Sequence, residues 1–150
     1  MAAPERDEYG RRPLTARERD ELLDLPLAGV LSTLTPAGRI HSVPVHFLRR
    51  GPELRVLTER DSVKCRNARR TGRATLCVET TIGGSDRWYV SAEGPVSVER
   101  SVSMDDVEAL HLRYDKPGAF ESDRAWDDDS AVLVIRPERW IAWSDADEGR

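Results

Sequence analysis

The chain has 150 residues, 39% hydrophobic and 33% charged, enough for one domain with its own core and no disulfide or metal staples. A formal net charge of −4 disfavours a general nucleic-acid binder, and no apolar run approaches the roughly 18 residues of a membrane-spanning helix. The absence of a charged-then-apolar leader at Met1, with two cysteines (Cys65 and Cys77) that lack metal spacing, predicts a cytoplasmic protein whose thiols only pack or face solvent.

Residues 1–13 are charged and patternless, which predicts a loose arm ahead of a single domain over 14–150. Residues 15–23 read as a short helix: Thr15 stands three residues before Glu18, a capping-box spacing, and Leu22 and Leu23 turn inward before Pro26. Strands over 28–34 and 40–48, joined by a turn at 36–39, form a hairpin, and a third strand carries Leu54, Val56 and Thr58 in alternation. A second short helix follows from Ser62 to about Arg70, with Gly72 as its C-terminal stop. Ala74, Leu76 and Val78 alternate in a fourth strand, and a fifth runs over 87–99 with Gly94 and Pro95 as a bulge or bend. Residues 103–114 form a helix with Ser103 as cap and Val107, Leu110 and Tyr114 on one face, broken by Pro117 and Gly118. An acidic loop over 123–129 precedes a last strand over 131–143, interrupted at Pro137. Six strands with short turns and few helices predict a mainly β (α+β) fold, a small six-stranded antiparallel barrel with short flanking helices.

The stretch from Thr58 to Arg70 is the most informative. Between Arg49 and Arg73 nine Lys or Arg residues stand against three Asp or Glu, whereas from Asp105 to Arg150 six face thirteen. Positive charge is therefore concentrated where a strand hands over to a helix. Ser62 can cap that helix, its first N–H groups favour an anion, and Lys64 in the first turn works against the dipole unless an anion offsets it. A phosphate clamp and a solvated arginine-rich helix both fit this pattern.

The Thr58-x-x-x-Ser62-x-Lys64 spacing, the element order and the run Trp88-Tyr89-Val90-Ser91-Ala92-Glu93-Gly94 resemble the split-barrel flavin-binding family of pyridoxamine 5'-phosphate oxidases, over residues 22–143. Lys64-x-Arg66-Asn67-x-Arg69-Arg70 and Val107-Glu108-Ala109-Leu110 are similar to the branch that uses the deazaflavin coenzyme F420. The resemblance implies a split β-barrel homodimer with cofactors in the grooves between subunits. It places Thr58, Arg60, Ser62, Lys64 and Asn67 around the cofactor phosphate, and Ser42, Val43, Pro44 and Val45 along the ring. Trp88 and Trp140 join the implied cofactor-binding set, with His46 and Tyr89 as weak catalytic candidates. Pro44 inside an apolar strand agrees with an edge strand or bulge. Two departures qualify the likeness: Tyr89 and Ser91 stand where the oxidases of vitamin B6 carry glutamine and arginine, and Ser62 stands where some deazaflavin-branch proteins have arginine.

Metal chemistry is disfavoured. His41 and His46 lie on opposite faces of one strand, His111 has no second ligand nearby, and Asp127, Asp128 and Asp129 lack the spacing of a calcium loop. No Ser-His-Asp or Cys-His arrangement is legible, as befits an enzyme whose cofactor performs the chemistry. The first expectation is an F420-dependent reductase passing hydride to a small conjugated or quinone-like substrate. The second is an FMN-binding oxidoreductase of the same fold, and the third a non-enzymatic cofactor- or haem-binding protein.

Overall fold

Three helices and nine strands form over residues 6–114 and 129–145, the part of the chain that the computed structural model describes. In chain order they are β1 (Arg12–Pro13), α1 (Ala16–Asp24), β2 (Gly29–Leu34), β3 (Ile40–Val45), β4 (Leu48–Arg50), β5 (Glu53–Glu59), α2 (Val63–Thr71), β6 (Arg73–Ile82), β7 (Asp86–Glu99), α3 (Met104–Tyr114), β8 (Ser130–Ile135) and β9 (Arg139–Ser144). The strands run in the order β3-β2-β6-β7-β8-β5-β4, with β9 on β7 and β1 on β9, and every pairing is antiparallel. This β-dominated α+β fold is the split barrel.

Helix boundaries follow their caps. Thr15 and Glu18 complete a reciprocal capping box at α1, and Leu22 and Leu23 are buried as their spacing predicts. Ser62 caps α2, and Gly72 closes it in the left-handed region at φ 67°, where a side chain would be strained. At α3 the Ser103 hydroxyl accepts from the Asp106 N–H at 3.1 Å, and Val107, Leu110 and Tyr114 are buried. The barrel interior is filled by Leu31, Phe47, Leu54, Val56, Leu76, Val90 and Leu133, while a second cluster around Leu57, Val132 and Val134 lies under α3. Asp106 fixes α3 there, accepting from Arg50 Nε and Arg55 Nε at 2.9 Å each.

The six expected strands are nine among the described residues, for three physical reasons. The strand expected over 40–48 ends at Val45, and the chain resumes as β4 against β5. The last expected strand divides at Pro137, because β8 pairs with β5 and β7 whereas β9 crosses to the other part of β7. Within the expected loose arm, Asp7 accepts from the Tyr9 and Arg11 N–H groups, and Arg12–Pro13 pair with β9. Gly94 and Pro95, expected to bend or bulge β7, leave it a continuous 14-residue strand. Glycine is required there because a Cβ would lie 2.2 Å from the Arg136 carbonyl oxygen, where the β8–β9 link crosses. The helix breaker at Pro117 and Gly118, and all of the acidic loop before Asp129, lie outside the described residues.

Candidate cofactor site

The exit of β5 into α2 is a tight turn held by backbone bonds. Arg60 N–H donates to the Asp129 carbonyl at 2.7 Å and Ser62 N–H to the Glu59 carbonyl at 3.2 Å. Thr58 shares the inward side of β5 with Leu54 and Val56 and is buried. Ser62 Oγ accepts from the Cys65 N–H at 3.4 Å, which satisfies one of the orphan donors of the first turn. Lys64 is half-buried and has no ion-pair partner among the described residues. Arg60 Nε is buried and meets no acceptor there either. Such an atom is costly to leave unmade. By contrast Arg12, Arg49, Arg50, Arg55, Arg73 and Arg136 all meet carboxylates. Lys64 and the Arg60 Nε thus stand together at the start of α2 without a carboxylate partner among the described residues, the arrangement an anionic group would complete.

Asn67 belongs to the support of this turn. It is 2% exposed, its Nδ2 donates to Thr33 Oγ1 at 3.1 Å, and its Oδ1 accepts from Arg70 at 3.3 Å. Arg70 also reaches the Leu34 carbonyl, so α2 is fastened to β2 along its second half. Both polar atoms of the Asn67 side chain are thus engaged within the protein.

Ser42, Val43, Pro44 and Val45 lie on β3, which ends the strand order with β2 as its only strand partner among the described residues. Pro44 is accommodated because it needs no second ladder. Val45 is buried, Val43 packs on the core, and Ser42 Oγ meets Ser32 Oγ at 2.8 Å on the outer side.

Of the remaining candidates His46 directly follows β3, Trp88 and Tyr89 lie on β7, and Trp140 lies on β9. His46 stacks on Tyr114 with ring centroids 4.2 Å apart, and the Tyr114 hydroxyl accepts from the Phe47 N–H at 3.1 Å and donates to the Leu27 carbonyl at 3.0 Å. Tyr89 stands on the outer side, its hydroxyl 3.5 Å from an Arg11 nitrogen. Trp88 and Trp140 pack on the core beneath Arg12 and Arg19, whose guanidinium carbons lie 5.5 and 4.1 Å from the ring centroids. Thr33 gives no local signal in the sequence, and His41, weighed there only as a metal ligand, has an Nδ1 that is buried without a partner among the described residues.

The profile of the pyridoxamine 5'-phosphate oxidase family matches residues 15–144. A search of curated proteins finds no match. Among solved structures, an F420 reductase superposes with a TM-score of 0.69 at 24% identity, over 81% of this chain and 94% of that one. A FAD-binding protein from Mesorhizobium loti gives 0.71 at 17% identity, over 91% and 99%. The haem storage protein HutZ from Vibrio cholerae gives 0.66 at 14% identity, over 85% and 94%. These likenesses establish a shared fold, and with the profile match across both β3 and the α2 turn the chain belongs to the pyridoxamine 5'-phosphate oxidase family.

Proposed function

We propose that this protein is a cofactor-dependent oxidoreductase that holds coenzyme F420 and serves hydride transfer to a small conjugated or quinone-like acceptor. The observation that carries the reading is the pair of uncommitted cations, Lys64 and the buried Arg60 Nε, beside the capped start of α2. An anion at that turn would relieve the cost of the Arg60 Nε and offset the lysine that opposes the helix dipole. Lys64, Arg60 and the first-turn N–H groups would hold the phosphate. The ring would lie along residues 42–45 of β3. The exposed Arg66 provides further cationic surface on which a tail of carboxylates could run, whereas FMN has none to offer it. The likeness to a solved F420 reductase supports the same choice.

When bound, the reduced ring supplies the hydride, and this chain's residues bind, orient and exclude water. Val30, Pro44, Cys77, Ser91 and Ile141 stand in one cross-strand row on the outer side, Val30 and Ile141 each 44% exposed. A second copy covering this row would make a homodimer that closes the groove beside β3.

FMN in the same place is the second reading, favoured by a serine rather than an arginine at position 62. Protein purified from a host that makes both cofactors decides between them by the absorbance and mass of the released ligand. A deazaflavin is expected. A flavin would make the second reading the better one, and a porphyrin or no ligand would overturn both.

A further inference from the structure

Resting on the cofactor reading above, we infer that His41 Nδ1 hydrogen-bonds to the polyhydroxylated chain that joins ring and phosphate in the bound cofactor. His41 lies on β3 in register with Thr33 of β2, on the inward side with Val43 and Val45. Thr33 accepts from Asn67, and Asn67 stands one helical turn after Lys64. His41 therefore lies between the clamp on α2 and the β3 segment assigned to the ring. A ligand spanning the two passes it, and the part of the ligand in between is the ribityl chain common to FMN and F420.

The imidazole itself points to a hydroxyl partner. Its Nδ1 is buried and unpartnered among the described residues, so a polar group must be found for it in whichever tautomer is present. A hydroxyl both donates and accepts and so suits either tautomer, whereas a phosphate oxygen only accepts from the protonated nitrogen.

The test titrates fluorescence with three probes: the coenzyme, its ring bearing the ribityl chain without phosphate, and its ring bearing a methyl group in place of the chain. In His41→Phe the first two should bind about tenfold more weakly and the third unchanged, the loss of one net hydrogen bond. His41→Asn, whose amide stands near the place of Nδ1, should keep affinity within about threefold of the wild type. Thermal melting checks the fold, and His41→Leu replaces the phenylalanine variant if that one does not fold. Unchanged binding of all three probes overturns the inference. So does a loss confined to the coenzyme, which marks a phosphate contact, or an equal loss for all three, which marks a ring contact. A wild type that binds none of them removes the cofactor reading and this inference together, whereas a binding wild type with an unaltered variant removes only the inference.

Discussion

Asn67 Nδ2 donates to Thr33 Oγ1 at 3.1 Å, a buried bond that helps set where α2 stands relative to β2, the strand that precedes β3. Both residues are nearly solvent-free, so neither can turn to water if the other is lost. Asn67→Leu should therefore lower stability by about 1–3 kcal/mol, the cost of unmet buried polar groups. Urea denaturation measures it, and an unchanged midpoint would show that the bond is incidental. Asn67→Leu should also weaken cofactor binding, because α2 is no longer held against β2.

Lys64 is expected to act on affinity and leave stability alone. Lys64→Ala should weaken coenzyme binding by about 1.5–3 kcal/mol, the range for a hydrogen bond to a charged group, with a loss that shrinks as salt rises. Equal dissociation constants for variant and wild type across a salt series would remove the phosphate from this helix.

Glu18 carries the acid response of the N-terminal region. The Arg12 guanidinium, bound at 3.0 and 2.8 Å, and the Thr15 N–H hold its carboxyl down at about 2. Because the folded value lies below the ordinary 4.5, the contribution is complete above pH 4.5 and is lost as pH falls towards 2. Its size is about 1–2 kcal/mol after partial screening. Stability of Glu18→Gln should run below that of the wild type at pH 7 and converge with it near pH 2. Parallel curves across that window would reject the assignment.

Gly94→Ala should be among the most damaging single-methyl changes in this chain. Its Cβ would meet backbone rather than a yielding side chain, 2.2 Å from the Arg136 oxygen and 3.0 Å from the Glu138 nitrogen. A loss of at least ~3 kcal/mol is expected, from displacement of the β8–β9 link. Calorimetric melting tests it, and a fall of under a degree would mean that the link relaxes freely.

Light scattering addresses assembly. A homodimer that buries the outer row through Val30 and Ile141 predicts twice the chain mass at micromolar concentration, and Val30→Arg should shift the population towards monomer. A monomer that still binds coenzyme tightly would show that one barrel suffices.

What could be read without coordinates was local. Thr15 with Glu18, Ser62 with Gly72, and the alternation of Leu54, Val56 and Thr58 each encode their element within a few residues, and the structure has them in place. The division of the last strand is set by partners far away in sequence, so Pro137 reads as an interruption when it marks a change of neighbour. The bond from Asn67 to Thr33 spans 34 residues, and the pairing of Asp106 with Arg50 and Arg55 spans 56 and 51. No periodicity signals such contacts. The basic turn from Thr58 to Lys64 was legible because its residues are contiguous, whereas the orphaned nitrogen of His41 exists only after the fold surrounds it.

The continuity of β7 limits how the length of this chain can change. One strand pairs with β9 through Trp88–Glu93 and with β8 through Val96–Glu99, so its two stretches share one parity of inward and outward residues. A one-residue insertion between them would leave one stretch in register while turning the other inside out, exchanging Val96 and Val98 for Ser97 and Glu99 in the interior. Length variation among homologues should therefore be confined to loops such as the 82–86 turn and be absent at 93–96.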